Sequence, residues 1–453
     1  MTRTCLQNCC LTLLLLSLGS AAAFGFDTEY WAWQRNEPAS AQELAELEAQ
    51  GVRAIHWQIG ELVQSGADWR WRARFDLPPN VAGLRFVPVV RLESQERNPF
   101  TAQANESLFS ALTAATRGAD ELQIDYDAPD RLLRDYAATL RQLHKLVPRV
   151  TITALPHWAH SSGAGEFRGA ADELLVMLYD FEPDPKGGPP LPLIVPDKID
   201  RYLSEWNEVQ IPWRVGLPVF ARMTVFDPDG KSRGHVRNWN WDDVCFSSAL
   251  EVVAPTNLGV TTLRAKRDTR VDNAVVRAGQ LVTARLPDRA ALSRAVSAAQ
   301  KTNARGVVYF RFPDSTDPSG WSLRQLGHLD AAPQLSVHVN PETSQIELLN
   351  NSDADLVFSA TAGERGYVLQ IEAPAPVFRD AGEGEFWRVT GEADGRAAPI
   401  QLATRLTFWF SHLRARQALR TGPIRLAPAA NFSQAQWRIL NFASQSQWQQ
   451  VTP

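Results

Sequence analysis

Short apolar or alternating runs recur through the first three quarters of the chain, most of them separated by stretches with helical spacing. Thr28 to Gln34, Arg53 to Ile59, Leu84 to Leu92 and the stretch Glu121 to Pro129 read as four strands. Arg149 to Ala154, Glu173 to Asp180, Trp213 to Phe220 and Gly306 to Phe312 read as four more. In the third, Phe86 to Val90 is apolar throughout, as in a strand buried on both faces. Helical patterns cover Ala39 to Gln50, stopped by Gly51, then Ser107 to Thr116 and Ala290 to Thr302, with a shorter piece at Ser204 to Val209. The clearest helix lies between Pro129 and Pro148, where Leu132, Leu133, Tyr136, Leu140, Leu143 and Val147 share one face.

Strands alternating with helices predict an α/β fold, a parallel (β/α)8 TIM-like barrel over residues 24–332. A long insert, residues 227–287, separates the seventh and eighth strands and reads as loops and small strands. An open doubly wound sheet is the alternative, but no glycine-rich phosphate fingerprint follows the first strand. After Pro333 the texture changes. Leu335 to Val339, Gln345 to Leu349, Leu356 to Ala360, Tyr367 to Ile371 and Leu406 to Phe410 alternate, with turn residues such as Asn350 to Asp353 between them. Residues 333–453 therefore predict a small antiparallel β-sandwich.

A length of 453 residues suits two folded units better than one core. Arg3, the apolar run Leu11 to Leu18 and the small residues Ser20 to Ala23 form a secretory signal pattern over residues 1–23. The run is too short to span a bilayer, so no stable membrane anchor is expected after cleavage, and the mature chain is expected to be periplasmic or secreted. Cleavage there leaves Cys245 as the only cysteine, which excludes an intrachain disulfide and a four-thiolate metal site. A net charge of -4 lacks the basic excess of a nucleic-acid binder. Of the 15 tryptophans, Trp31, Trp33, Trp57, Trp69, Trp71 and Trp158 crowd the early part of the chain, where they can pack a core or stack on sugar faces.

The fourth strand holds the candidate chemistry. Leu122, Ile124 and Tyr126 take one face, and Gln123, Asp125 and Asp127 take the other. Two carboxylates two residues apart stand about 6.6 Å from each other along the strand. In a shielded place they repel, so one should hold its proton to higher pH, the usual equipment for glycoside chemistry. The bland alternative is a solvated strand end, or Asp127 acting with Asp130 at a helix N-terminus. Barrel sites form at the C-terminal strand ends. Those ends carry Gln34 and Arg35, then His56, Gln58 and Glu61, then Arg91 and Glu93, Asp125 and Asp127, His157 and Trp158, Tyr179 and Asp180, Arg222, and finally Arg311 and Asp314.

Several of these residues resemble a known family. Asp125-Tyr126-Asp127-Ala128-Pro129 is similar to the fourth-strand motif of chitinase-type glycoside hydrolases, Asp-x-Asp-x-Glu followed by an aromatic residue and Pro. Aligned on Pro129, Gln123 and Asp125 fall on the aspartates and Asp127 on the acid glutamate. Met177 to Asp180 resembles that family's sixth-strand Met-x-Tyr-Asp, and Gly216 to Arg222 its seventh-strand Gly-x-Pro-x-Tyr-Gly-Arg. Trp33 to Arg35, Leu122 to Asp127, Thr151 to Trp158 and Gly216 to Pro218 also resemble a bacterial family of exported proteins, described only as a domain of unknown function.

The resemblance implies Asp127 as general acid, Asp125 and Asp180 as groups that stabilise positive charge or orient an acetamido nucleophile, and Tyr179 as a hydrogen-bond donor to that nucleophile. Gln34, Arg35, Gln58, Arg91, Gln123, Trp158 and Arg222 are the expected carbohydrate-binding residues. Departures accompany it. Aspartate is one methylene shorter than glutamate, about 1.5 Å, a misplacement that can cost roughly 100-fold in rate. Gln123 cannot ionise, the third strand carries Val90-Arg91-Leu92-Glu93, and the eighth offers Phe310 and Phe312 in place of a stacking tryptophan. These weigh against N-acetylated sugars. The expected activity is a glycoside hydrolase acting on a poly- or oligosaccharide. The alternatives are a catalytically weak or inactive glycan-binding protein of the envelope, and an envelope assembly factor working through the sandwich. The expected partner is a carbohydrate, with no cofactor and no nucleic acid. His157 and His160 lack a nearby third ligand, so no metal is expected. The oligomeric state is open.

Overall fold

The computed structural model describes residues 25–185, 190–314, 319–340, 342–361, 365–428, 430–442 and 446–451. The signal-peptide expectation lies outside the described residues. Eight strands form the barrel: β1 (Asp27–Ala32), β2 (Ala54–Ser65), β3 (Arg85–Glu93), β4 (Glu121–Asp125), β5 (Arg149–Ala154), β6 (Glu173–Met177), β7 (Trp213–Pro218) and β8 (Gly306–Phe310). Each pairs in parallel with its neighbours, and β1 pairs with both β2 and β8, which closes the sheet. Among the described residues, no helix is long and apolar enough to cross a membrane.

The connections differ from a regular repeat in three places. β2 runs on to Ser65, turns at Gly66 (φ 64°) and returns antiparallel as Asp68–Arg74, so a hairpin replaces the helix before β3. Only short 3-10 turns, Pro156–His160 and Ala164–Phe167, join β5 to β6. The insert begins earlier than expected, at Arg222, and is a five-stranded antiparallel sheet built on Arg222–Phe226. Three helices also shift, and the one expected from Ser107 starts at Ala102, capped by Thr101. The first starts at Ala41, because Ser40 and Glu43 form a capping box there. The piece expected at Ser204 to Val209 is the end of a longer helix, Pro196–Asn207.

Inward residues fill the barrel in layers. At the N-terminal end lies a buried ionic floor. Glu29 accepts from His56 at 2.8 Å, and Arg214 lies 3.3 Å from Glu29 and 3.0 Å from Glu173. Arg85 and Arg149 reach Glu121 at 2.5 and 3.2 Å. Burial would push the Glu29 carboxyl up, but His56, Arg214 and Arg85 hold it at about 2. His56 therefore belongs to the floor, a correction to its expected place at the mouth. Above the floor Trp31 crosses the interior, packed with Val89, Leu175 and Val308. Its indole N–H donates to Gln123 Oε1 at 3.0 Å. Gly216 leaves it room, since a Cβ there would sit 3.0 Å from the ring and 2.9 Å from the Val176 carbonyl oxygen.

Beyond residue 334 a second apolar core lies between antiparallel sheets, one of three strands and one of six. Leu356 to Ala360, expected as a strand, makes only single bridges, to Leu413 and Arg365. Phe358 stacks instead on Trp241 of the insert, centroids 4.7 Å apart. The wholly buried Asp355 carboxylate joins the two cores. It accepts from the Ser322 amide and hydroxyl, the Ala415 amide and Arg414.

Gly216→Val would force β-branched atoms against the Trp31 ring. Destabilisation of about 1–3 kcal/mol is expected in urea unfolding. An unchanged midpoint would mean that Trp31 has slack.

Candidate active site

The strand alternation read from β4 holds. Tyr126 points outward, between Phe100 and Tyr136, while Gln123 and Asp125 face the interior. β4 itself stops at Asp125, so Asp127 stands on the loop just above the rim, exposed. The bland reading of Asp127 as a helix cap finds no support. The helical turn beginning at Asp130 has Pro129 at its N-cap and no side-chain cap bond.

Asp125 is 7% exposed. Its Oδ1 accepts from the Thr153 hydroxyl at 2.7 Å, and its Oδ2 lies 3.9 Å from Arg91 Nη1. Burial and the charge of Asp127 push its carboxyl from the ordinary 3.8 to about 6, against the pull of Thr153 and Arg91. Arg91 is itself shared with Glu61, at 3.6 Å. Tyr179 stacks on Phe310, centroids 5.8 Å apart, and meets Phe220 edge-on. Burial, then the charges of Asp125 and Asp127, push its phenol well up, so it stays a donor at any working pH. Asp180 follows with positive φ (57°) and pairs with Arg222.

A cleft of about 690 Å³ opens beside this group, between the ends of β1 and β8 and the insert. Its volume lies within the roughly 300–1,000 Å³ of small-molecule sites. Trp33, Phe220 and Phe310 supply aromatic faces, and Gln34, Arg237 and Asn238 supply polar groups.

The structure thus gathers Asp125, Asp127, Tyr179, Asp180, Arg91 and Arg222 at the mouth, with Gln34 in the adjoining cleft. Four expected binding residues lie elsewhere. Trp158 is 0% exposed, stacked on Phe167 with its N–H on the Ala128 carbonyl. A ring with no free face cannot stack on a sugar. Arg35 turns to Glu43, which it grips with both terminal nitrogens, over the Phe312 ring. Gln58 is buried, and its Oε1 holds the Gln34 amide at 3.0 Å. Gln123 is 0% exposed beneath Asp125 and serves Trp31. The last two position the site rather than touch a ligand. His157 and His160 form separate pairs with Asp130 and Glu205. Arg237 and Asn238 went unnoticed in the sequence, because nothing local marks one arginine of an insert as lying over a cleft.

Residues 82–238 match the family model described as a domain of unknown function, DUF3142. The matched segment runs from β3 past β7 into the insert, and so holds Arg91, Asp125, Asp127, Tyr179, Asp180, Arg222 and Arg237. No curated protein matches the chain in sequence. Among solved structures it is similar to the spore cortex-lytic enzyme SleL of Bacillus megaterium, with 12% identity and a TM-score of 0.44 over 63% of this chain and 70% of that one. It is also similar to a chitinase from Chromobacterium violaceum, with 13% identity and a TM-score of 0.42 over 63% and 94%. A third is chitinase ChiW from Paenibacillus sp. str. FPU-7, with 9% identity and a TM-score of 0.48 over 94% and 55%.

Because Asp125 holds its proton more tightly folded than unfolded, its contribution is fully present below about pH 4 and lost as pH rises through 6. Asp125→Asn keeps an acceptor for Thr153 and removes the ionisation. It should gain at most about 3 kcal/mol at pH 8 and close to nothing at pH 4, read by chemical denaturation at both. An equal effect at the two pH values would contradict a buried, ionising Asp125.

Proposed function

We propose that the barrel is a glycoside hydrolase acting on a poly- or oligosaccharide. The observation that carries this reading is the unequal pair at the mouth. Asp125 is buried and holds its proton to about pH 6, while Asp127 beside it is exposed and within reach of a ligand. In this reading Asp125 passes the proton it holds to Asp127, which delivers it to the glycosidic oxygen as that bond breaks, and a water then adds to the anomeric carbon and returns its proton to the pair. Asp125, once ionised, faces the positive charge that develops on the sugar. Tyr179 donates a hydrogen bond, and the Asp180–Arg222 pair fixes the wall next to it. Trp33 and Phe310 offer rings for a sugar face. The motif resemblances on β4, β6 and β7 support the same roles.

We read the mature chain as exported, on the pattern Arg3, Leu11 to Leu18 and Ala23. We divide it into a barrel unit, 24–332, and a C-terminal unit, 333–453. A glycan-binding barrel without turnover is the second reading. It is favoured by the short Asp127 side chain and by Gln123, which cannot ionise and is already engaged by Trp31.

Incubating the mature protein with cell-wall and capsular polysaccharides should release new reducing ends. Asp127→Asn should lower that rate by about 100-fold or more while leaving the melting temperature unchanged. Binding without product from the unmodified protein selects the second reading. Equal rates for both proteins would remove Asp127 from the chemistry.

A further inference from the structure

The insert sheet carries a row of arginines along the edge that faces the mouth. Arg222 pairs directly with Arg285 on one neighbouring strand. On its other side Val236 pairs with Met223, which puts Arg237 one position further on, beside Arg222. Like charges across a sheet repel unless each finds an acid. Two of the three have one from the segment after β6. Arg285 reaches Asp184 at 2.6 Å, and Arg222 holds Asp180. Arg237 is exposed, lines the 690 Å³ cleft, and has no carboxylate partner among the described residues. The other charged groups of that cleft, Arg311 and Asp314, already hold interactions of their own. At the mouth, Glu61 and Glu93 are both taken by Arg72.

We infer that Arg237 receives a carboxylate from the substrate, and that the saccharide bound in the cleft is an acidic one. The inference rests on the reading of the mouth as a saccharide site. The third arginine completes the series its two neighbours begin, with the acid supplied from outside the chain. A guanidinium takes a carboxylate with two parallel N–H bonds, whereas a neutral sugar offers single hydroxyls. Asn238 beside it and the rings of Trp33 and Phe310 supply the hydrogen bond and stacking surface that a sugar ring needs.

The test uses the full mature chain and calorimetry with paired tetrasaccharides. The probes are oligogalacturonate, oligoguluronate, hyaluronan and N-acetylglucosamine–N-acetylmuramic acid tetramers, each as the acid and as its methyl ester. At least one acid should bind roughly 10- to 100-fold more tightly than its ester, the span of one charge-assisted pair. The difference should shrink as salt rises. Arg237→Gln should erase it without moving the melting temperature, and Arg237→Lys should restore part of it. Acid and ester binding alike in every pair, no binding of any acid, or a difference that survives Arg237→Gln would each overturn the inference. Product analysis of the same mixtures separates it from the hydrolase reading. An acid held through Arg237 but left uncut defeats only the hydrolase; an ester cut as fast as its acid defeats only the inference.

Discussion

Inside a closed sheet every second side chain points at the axis, where water is scarce. This chain places ions at both ends of that axis and an indole between them. Trp31, tied to Gln123 and accommodated by Gly216, separates the salt-bridged floor from the acidic mouth. Below it, opposite charges are interleaved closely enough to hold Glu29 ionised in spite of its burial. Above it, Asp125 has a hydroxyl and a distant arginine for company, and holds its proton to about pH 6. Two carboxylates buried to a similar degree thus behave oppositely: cations crowd Glu29, whereas Asp125 has the charge of Asp127 near it and one arginine at 3.9 Å.

The same partition accounts for Gln123. An ionised aspartate at that level would be a further buried charge without a cation of its own, close under Asp125. The amide accepts from the indole at no electrostatic cost to the carboxyl above. Its own Nε2 is left without a partner, a smaller penalty than an unpaired ion. The mouth therefore keeps one perturbed acid rather than two, and the exposed Asp127 supplies the second carboxyl where a ligand can meet it.

Much of the barrel was legible because alternation and helical spacing are local signals. Gln123, Asp125 and Asp127 could be assigned a common face from period two alone, and the helix after Pro129 from its apolar stripe. What failed was non-local. Trp69 and Trp71 alternate with Arg70 and Arg72, as a strand should, yet nothing in the run says that it folds back on β2. The level of His56 within the barrel depends on register with Glu29, which lies in another strand. Trp158 looked available because it follows a strand end. The turn Pro156–His160 rotates it into the core instead. Arg35 stood at the right height and was claimed by Glu43, a residue also busy capping its helix. The row of Arg285, Arg222 and Arg237 draws on three strands distant in sequence, so only pairing could bring it into view.

The Asp355 carboxylate has a consequence for how this chain can be recombined. Three of its donors, the Ser322 amide, the Ser322 hydroxyl and Arg414, come from segments nearly 100 residues apart, and the aspartate has no contact with solvent. Cutting the chain between the barrel and the sheets would part the two Ser322 donors from the Asp355 carboxylate, which would keep only Arg414 and the Ala415 amide. The terminal sheets are thus not an interchangeable cassette that fusion or exchange could carry to another scaffold.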